Sequence, residues 1–246
     1  MNTDNMAISG ETIDYGPCAF MDAYDPNTVF SSIDRNGRYA YDRQPTIAQW
    51  NLARLAETLL PLLDPDQDQA LEIANETLRD AEVRFREAWL RAMRAKLGLL
   101  TEEDEDPELI QAFLDLLARN EADFTRTFRA LGDLADTSGE NELLETVLGD
   151  DPNWAAWKER WRRRVARQPT TPETAVERMR RHNPARIPRN HLVERAIREA
   201  ADRDDFSFMH RMLDALARPY EDAADDALWD LPPKPEEKVL QTFCGT

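Results

Sequence analysis

The chain has 246 residues, of which 41% are hydrophobic, and a formal net charge of -17 at pH 7. That size and apolar content can fill the core of one large or two small globular domains. The acidity argues against general nucleic-acid binding, because phosphate backbones repel an acidic surface. No stretch approaches the roughly 20 apolar residues that span a bilayer, and no signal-peptide pattern is present. We therefore expect a cytoplasmic protein that does not bind membranes.

The opening stretch, MNTDNMAISGETIDYGP, predicts a short β-hairpin. Ser9 and Gly10 suit a two-residue turn. The residues around this turn that are compatible with strands are Met6, Ile8 and Ile13. Counting outward from the turn pairs position 5 with position 14, and directly opposed residues of a hairpin have Cβ atoms about 5 Å apart.

Asn5 and Asp14 thus lie directly across from each other in the predicted hairpin, and both side chains carry oxygen. Such a pair suits a hard divalent cation such as Mg²⁺, which keeps water and substrate phosphates as its other ligands. Asp4, one residue earlier, is placed where it could accept a proton from an incoming hydroxyl. The alternative is that Asp4 and Asn5 only cap a turn, as both residue types often do. Spacing alone leaves both interpretations open.

Residues 15–43 lack a sustained hydrophobic period and contain many Gly, Pro, Asp, Tyr and Ser residues. This composition predicts a long ordered loop, and long loops in compact domains are often functional. Within it, GRYAY (Gly37 to Tyr41) is compatible with a short strand or with tyrosines docked against the helical core. Docking is the favoured interpretation.

From Gln44 onward the hydrophobic spacing predicts helices almost everywhere. The first begins near Pro45 and ends at Asp64-Pro65, and its apolar residues predict a buried amphipathic helix. Those residues recur near a period of 3.6 and are Ile47, Trp50, Leu52, Leu55, Leu59 and Leu63. Further helices are predicted at about 69–97, 107–120, 122–134, 140–148, 153–167, 172–182, 191–201 and 206–217. Short polar connections between them suit one packed body.

A basic strip, residues 158–198, holds 13 Lys or Arg and four Asp or Glu. It is either a surface for a partner or a set of solvated helix faces. Trp154, Trp157 and Trp161 at its start could indicate base stacking. Their spacing of three and four residues is typical of a buried helix face, so core packing is favoured.

Other candidate metal motifs fail at diagnostic positions. DPDQDQALE, from Asp64, begins like a calcium loop but has Gln69 in place of Gly and Asn75 in place of Glu, which predicts an acidic turn between helices. The three histidines have neither HExxH spacing nor cysteine partners for zinc. Only Cys18 and Cys244 are present, which excludes a disulfide framework and favours two free thiols.

Several stretches in order along the chain resemble the selenoprotein O family of kinase-like proteins. They are MNTDNMAISGETIDYGPCAFMD, YDPNTVFSSIDRNGRYAY, QPTIAQWNLARLAE, NPARIPRNHLVERAI and TFCGT. Asp14-Tyr15-Gly16 is similar to the metal-binding Asp-Phe-Gly motif of protein kinases, and Asp4-Asn5 is similar to a compressed catalytic loop. The resemblance covers the C-terminal half of the family.

This resemblance implies a mainly α fold, namely an atypical protein-kinase-like C-terminal lobe with a short N-terminal β-hairpin. It implies transfer of AMP from ATP to Ser, Thr or Tyr hydroxyls of proteins. Asp4 would be the proton acceptor, and Asn5 and Asp14 would be ligands of Mg²⁺ or Mn²⁺. Asp14 would also lie near the nucleotide.

The resemblance further divides the chain into a catalytic segment (1–43), a helical lobe (44–221) and an extended tail (222–246). The acidic and then proline-rich composition of the tail also predicts an extended path over the surface. Cysteines near the end of family members are sometimes linked to a Cys in the loop after the Asp-Tyr-Gly motif, which suggests redox control, so a bridge between Cys18 and Cys244 is the alternative to two free thiols.

The family holds its nucleotide with a glycine-rich loop, a Lys and arginines upstream of the catalytic Asp. The eight glycines of this chain form neither GxGxxG nor GxxxxGK. We expect the chain alone to bind ATP weakly and to transfer AMP slowly or not at all, with the missing N-terminal lobe as its partner. The alternative is an inactive, pseudokinase-like helical domain that binds a partner through its acidic surface or the basic strip.

Overall fold

The computed structural model describes residues 3–11, 16, 18–135, 140–169, 171–222 and 227–242, with the backbone alone at Asp4, Pro172 and Glu173. Within these ranges there are nine α-helices and four short 3-10 helices. The α-helices are α1 (Gln44–Leu63), α2 (Gln67–Lys96), α3 (Asp106–Arg119), α4 (Phe124–Leu134), α5 (Glu142–Leu148), α6 (Trp154–Ala166), α7 (Pro172–His182), α8 (Asn190–Arg203) and α9 (Ser207–Leu216). The 3-10 helices are Thr3–Asn5, Tyr41–Arg43, Ala227–Trp229 and Pro235–Glu237. The prediction of a mainly α fold is confirmed.

The described chain forms two compact units. Unit 1 takes the described residues of Met1–Pro17 and Pro26–Arg91, and unit 2 takes Cys18–Asp25 and the described residues of Ala92–Thr242. The boundary between them on the helical side falls inside α2. The predicted division at positions 43 and 221 is a functional one, which these units do not test. In the part of the chain that is described, no helix combines the length and apolar character needed to cross a membrane.

In unit 1, the turn between α1 and α2 is built from carboxylates that accept backbone N–H groups. Asp64 Oδ1 accepts from the N–H of Asp66 at 2.8 Å. Asp66 Oδ1 accepts from the N–H groups of Asp68 and Gln69 at 2.9 and 3.1 Å, at the start of α2. These bonds satisfy amide groups that the first turn of a helix leaves without partners. The prediction of an acidic turn between helices is confirmed.

The expectation that α1 is buried is wrong. Only Ile47 and Asn51 of its 20 residues are buried, although Gln49 on α1 donates from Nε2 to the carbonyl of Leu78 on α2 at 2.8 Å. Periodicity establishes that a helix has an apolar face, but it does not establish that the rest of the chain covers this face. The described residues leave most of the apolar face of α1 in solvent.

The loop that precedes α1 is held by its own backbone and side chains. Asp34 accepts the N–H groups of Arg38 and Tyr39, each at 2.8 Å, and Tyr41 donates its N–H to the carbonyl of Thr28 at 3.0 Å. The GRYAY stretch forms no strand; Ala40 within it is buried, and burial raises the pKa of Tyr41. The strand interpretation is therefore wrong, and docking of the tyrosines against the helical core stays a prediction.

The core of unit 2 contains a ladder of aromatic rings. Trp154, Trp157 and Trp161 are buried on α6 and stack with centroid separations of 5.8 and 5.9 Å, and Phe113 of α3 stacks on Trp157 at 4.3 Å. The indole N–H of Trp161 donates to the carbonyl of Leu97 at 3.0 Å, so its polar atom is satisfied. The tryptophan stripe is core, as its spacing predicts.

A buried ion pair joins α3 to α6. Arg164 Nε donates to Asp106 Oδ1 at 2.8 Å, and its Nη2 donates to the carbonyl of Thr101 at 2.7 Å. The side chains of Arg164 and Asp106 are 2% and 0% exposed. Neither charge has access to bulk water, and the Arg164 guanidinium is compensated by Asp106 and by Glu103, whose Oε1 lies 3.0 Å from Nη1.

The tail does not lie entirely on the surface, contrary to the expectation. Trp229 is buried against a cluster from α8 and α9 that contains Leu192, Ala196, Phe208 and Met212. Its ring centroid is 5.3 Å from that of Phe208. The acidic and proline-rich composition of the tail predicted exposure, but one large aromatic side chain is sufficient to attach it to the core.

Lys96, the last residue of α2, lies close to the rings of two phenylalanines. Its Nζ lies 5.5 and 5.4 Å from the ring centroids of Phe124 and Phe128 and donates to the carbonyl of His182 at 3.1 Å. Burial lowers the pKa of Lys96 to about 8. The folded state therefore favours the neutral amine more than the unfolded state does.

Replacing Asp106 by Ala should lower the free energy of unfolding by about 1.5–3 kcal/mol, because the buried Arg164 guanidinium loses its hydrogen bonds to that carboxylate and keeps only the partly exposed Glu103 as an anionic partner. Urea denaturation followed by tryptophan fluorescence measures this change. The matched control is Arg163→Ala, which removes an exposed pair with Glu159 and should change stability by no more than about 1 kcal/mol. Equal effects of the two substitutions would contradict the assignment.

The contribution of Lys96 to the free energy of unfolding should rise with pH. Between the lowered pKa of the folded state, about 8, and the ordinary value of 10.5, the unfolded state binds more protons, so raising the pH stabilises the fold. We expect the difference in unfolding free energy between wild type and Lys96→Met to move in favour of wild type from pH 8 to pH 10. Urea titrations across this range measure it, with the exposed Lys238→Met as control; a difference that does not vary with pH contradicts the prediction.

Candidate active site

The structure describes part of the predicted site. Thr3–Asn5 forms a 3-10 helix, and Asn5, at its end, is exposed. Asp4 belongs to the same turn by its backbone, while its side chain and the whole of Asp14 lie outside the described residues. The opposition of Asn5 and Asp14 and the placement of the Asp4 carboxylate therefore stay predictions.

The segment after Asn5 contains the predicted turn. Gly10 has φ +74°, a left-handed conformation that side chains rarely adopt, and the Glu11 N–H donates to Ser9 Oγ at 3.4 Å. Residues 3–11 contain no strand, and the opposite arm of the predicted hairpin, residues 12–15, lies outside the described residues. The hairpin itself stays a prediction.

Unit 1 holds this segment at Met6. The side-chain amide of Asn51, on α1, contacts the sulfur of Met6, and Asn51 is buried while Ile8 is almost fully exposed. A buried amide on a helix thus contacts the chain immediately after Asp4-Asn5, although Met6 itself is exposed. The remaining residues up to Glu11 are exposed.

The described side chains do not complete a metal site. Among them, no three His, Cys, Asp or Glu residues come close enough to hold a metal ion. The carboxylates of the predicted site, those of Asp4 and Asp14, are not among the described side chains. Asn5 is exposed, and its amide oxygen is a donor of the type that Mg²⁺ accepts.

Within unit 2, the loop after the Asp14-Tyr15-Gly16 motif is held by a side-chain amide of α8. This amide makes the paired hydrogen bonds that a neighbouring strand would make. The N–H of Phe20 donates to Asn190 Oδ1, and Asn190 Nδ2 donates to the carbonyl of Phe20, both at 2.8 Å. Asn190 is the first residue of α8. Its amide therefore satisfies both main-chain polar groups of one loop residue.

Arg189, next to Asn190, is the centre of a buried network. Its Nη1 donates to Asp22 and to Asp123 at 2.6 Å each, and its Nη2 donates to the carbonyl of Asp230 at 3.2 Å. Burial by itself lowers the pKa of Arg189, but the hydrogen bonds and charges of Asp123 and Asp22 outweigh it and hold the pKa above its ordinary value. The guanidinium thus joins the loop, the start of α4 and the tail.

Two backbone bonds continue this attachment. The N–H of Tyr24 donates to the carbonyl of Ala122 at 2.9 Å, and the N–H of Phe124 donates to that of Asp22 at 2.8 Å. They form an antiparallel bridge, and the rings of Tyr24 and Phe124 stack at 5.7 Å. We call the three contacts made by Asn190, Arg189 and this bridge the loop clamp.

Sequence reasoning did not assign a role to Arg189 or Asn190. Both lie in NPARIPRNHLVERAI, one of the stretches on which the family resemblance rests. The available signal was an Arg-Asn pair directly before the helix predicted at 191–201. Their partners could not be found from spacing, because Asp22 lies 167 residues away from Arg189.

The choice between two free thiols and a bridge from Cys18 to Cys244 stays open. Cys18 is half-buried and has φ +51°, which is uncommon for a residue other than glycine. Cys244 lies outside the described residues.

The family of the chain follows from comparison with known sequences. The family model described as protein adenylyltransferase SelO matches residues 1–217, which include the predicted site, the loop clamp and all nine helices described above. The chain therefore belongs to this family, and the resemblance is confirmed.

Three relatives agree with this assignment, and each carries the name protein nucleotidyltransferase YdiU. The protein of Rhizobium rhizogenes (strain K84 / ATCC BAA-868) is 56% identical over 247 residues, which cover 100% of this chain and 49% of the relative. That of Rhizobium meliloti (strain 1021) is 53% identical over 100% of this chain and 50% of its own length. That of Syntrophotalea carbinolica is 50% identical, again over 100% and 49%. The chain spans about half the length of the curated relatives it matches.

Removing the Asn190 amide should loosen the loop clamp. In Asn190→Ala, the Phe20 N–H loses its acceptor, so its hydrogen exchange should accelerate by about tenfold, the effect of roughly one hydrogen bond. Exchange measured by NMR reports this residue by residue. Arg198→Ala, which removes an exposed pair with Glu194 on the same helix, is the control and should leave Phe20 unchanged. Unchanged exchange in both variants contradicts the clamp.

Proposed function

We propose that this chain is the C-terminal part of a protein adenylyltransferase that transfers AMP from ATP to Ser, Thr or Tyr hydroxyls of proteins. The observation that carries the proposal is the family match over residues 1–217, which includes both Asp4-Asn5 and Asp14-Tyr15-Gly16. The relatives' name, protein nucleotidyltransferase, supports the same class of reaction. We also propose a cytoplasmic location, where ATP is abundant.

In the proposed reaction, the hydroxyl oxygen of the target protein forms a bond to the α-phosphorus of ATP. The bond from that phosphorus to the bridging oxygen breaks, and pyrophosphate leaves. Asp4 accepts the hydroxyl proton, a role that needs a carboxylate within hydrogen-bond reach of the attacking oxygen. The position of Asp4 beside an exposed Asn5 supports access for a substrate at this turn.

The chemistry of Asn5 and Asp14 suits Mg²⁺ or Mn²⁺. An amide oxygen and a carboxylate are hard donors, and an exposed Asn5 leaves room for water and phosphate oxygens as further ligands. Bound there, the metal ion would neutralise charge on the phosphate oxygens. Asp14 would hold the metal ion close to the nucleotide.

We further propose that the chain needs the remainder of the protein for activity. Phosphoryl-type reactions depend on donors that position the phosphates, and this chain contains neither of the glycine-rich phosphate motifs. The exposed apolar face of α1 is the observation that favours the alternative, an inactive helical interaction domain. The two candidates differ in whether the completed protein transfers AMP.

The chain should regain AMP transfer when it is joined to the portion of the Rhizobium rhizogenes relative that it does not match. Asp14→Ala in the joined protein should reduce the rate at least about 100-fold, because a ligand of the metal ion is lost, and Asp4→Ala should do the same through loss of the proton acceptor. Incorporation of labelled AMP into protein is the readout. Glu159→Ala, an exposed carboxylate on α6, is the control and should retain activity.

The chain alone should bind Mg-ATP more weakly than the micromolar range. Isothermal titration measures this affinity, and micromolar binding by the isolated chain contradicts the proposed dependence on the rest of the protein. A joined protein that is folded but transfers no AMP supports the interaction domain instead.

A further inference from the structure

Unit 2 contains a small pocket that the proposed reaction does not use. It has a volume of about 280 Å³ and lies between Arg186, α9 with the residues that follow it, and Trp229. Pockets for drug-sized ligands typically have about 300–1,000 Å³, so this one suits a small ion or a single chemical group. None of its residues belongs to the predicted active site or makes the loop clamp.

The Arg186 guanidinium lines this pocket with part of its hydrogen-bonding capacity unused. Its side chain is 5% exposed, and its Nε lies 3.2 Å from Asp230 Oδ1. That contact is not aligned as a hydrogen bond, and neither Nε nor Nη2 has a hydrogen-bond partner in the described part of the chain. A buried donor without an acceptor is destabilising, and more so where it is charged. A ligand in the pocket would supply the missing acceptors.

The two unpartnered nitrogens share one edge of the Arg186 guanidinium. This edge is the fork that binds two oxygens of one anion with two parallel hydrogen bonds. The main chain of Arg186 is fixed as well, because its N–H and that of Ala185 both donate to the carbonyl of Pro219, at 3.3 and 2.8 Å. The fork is therefore in place before a ligand binds, which lowers the entropic cost of binding.

Asp230 compensates this guanidinium only in part. Burial raises the pKa of Asp230 above its ordinary value, although the charges of Arg186 and Arg189 act in the opposite direction. Asp230 Oδ1 also has no hydrogen-bond partner among the residues that the structure describes. The pair formed by Arg186 and Asp230 thus leaves the fork available to a second anion.

The other charged residues of the pocket lie at its exposed rim. They are two arginines, Arg211 and Arg218, and three carboxylates, Asp214, Glu221 and Asp222. Asp222 accepts from Arg129 Nη2 at 2.6 Å, and Glu221 lies 3.3 Å from Arg218 Nη1, so two of these carboxylates have cationic partners. Charges interact more strongly where water is excluded, so the buried Arg186 decides which ion the pocket accepts.

We propose that this pocket binds a phosphate group, two of whose oxygens accept from Arg186 Nε and Nη2 while the others face Arg211 and Arg218. The planar fork of arginine matches two phosphate oxygens, and a double negative charge suits one buried and two exposed guanidiniums. The group belongs either to free inorganic phosphate or to a small phosphate monoester. The inference is independent of the proposed function, because no residue of the predicted active site takes part.

The test titrates the full chain with sodium phosphate in Tris chloride buffer and measures binding by isothermal titration calorimetry. The wild type should bind about one phosphate per chain, and Arg186→Gln should weaken binding at least about tenfold, because the charge-assisted bonds of the fork are lost. The matched control is Arg163→Gln on α6, at an exposed arginine, and it should bind like wild type. Sulfate, which has the same shape and charge, should compete with phosphate.

Trp229 gives a second measurement that needs no variant. It lines the pocket, so its indole N–H signal in the NMR spectrum should shift when phosphate is added, whereas that of Trp161 in the core should not. O-phosphoserine in place of phosphate separates the two sources of the group. Similar affinity for both ligands supports a phosphate monoester, and binding of phosphate alone supports the inorganic ion.

Three results would overturn the proposal: no phosphate binding by the wild-type chain, binding that Arg186→Gln leaves unchanged, or a Trp161 signal that shifts as much as that of Trp229. The first result would show that Asp230 alone compensates Arg186. Because the titrations contain no ATP, their outcome is independent of AMP transfer.

Discussion

Unit 2 depends on one buried guanidinium, that of Arg189. Taking a charge out of water is costly, and a cation without exposure is tolerated only where anions and carbonyls surround it in good geometry. Asp22 comes from the loop, Asp123 from the start of α4, and Asp230 contributes its carbonyl from the tail. The requirement to compensate a single charge therefore brings three distant parts of the sequence to one point.

Unit 2 also provides a rigid scaffold to which the loop is attached. The stacked tryptophans of α6 and the buried pair of Arg164 and Asp106 fix α3 and α6, so that few alternative packings are available. A loop tied to such a body at its backbone loses much of its own freedom. Sites carried on loops are effective when a rigid scaffold orients them, and the residues after the Asp14 motif meet that condition.

Sequence alone predicted the helices well because their signals are local. Pro172 and His182 bound α7 as the pattern indicated, and Asp64-Pro65 ends α1. Burial was less predictable, because α1 has an apolar face that the described chain leaves open and the tail hides one tryptophan in the core. The candidate site came from counting outward from a predicted turn, which opposed Asn5 to Asp14, and from motif resemblance, which assigned the roles. The partners of Arg189 are separated from it by up to 167 residues, a distance that no local pattern can bridge.

The paired bonds between Asn190 and Phe20 have a consequence for which substitutions the loop can accept. Both bonds end on main-chain atoms of Phe20, so they are indifferent to the side chain at that position. Position 20 can vary without loss of these bonds, whereas position 190 needs a donor and an acceptor on one short side chain. Aspartate there would set a carboxylate oxygen against a carbonyl, although it is nearly the same size and shape as asparagine.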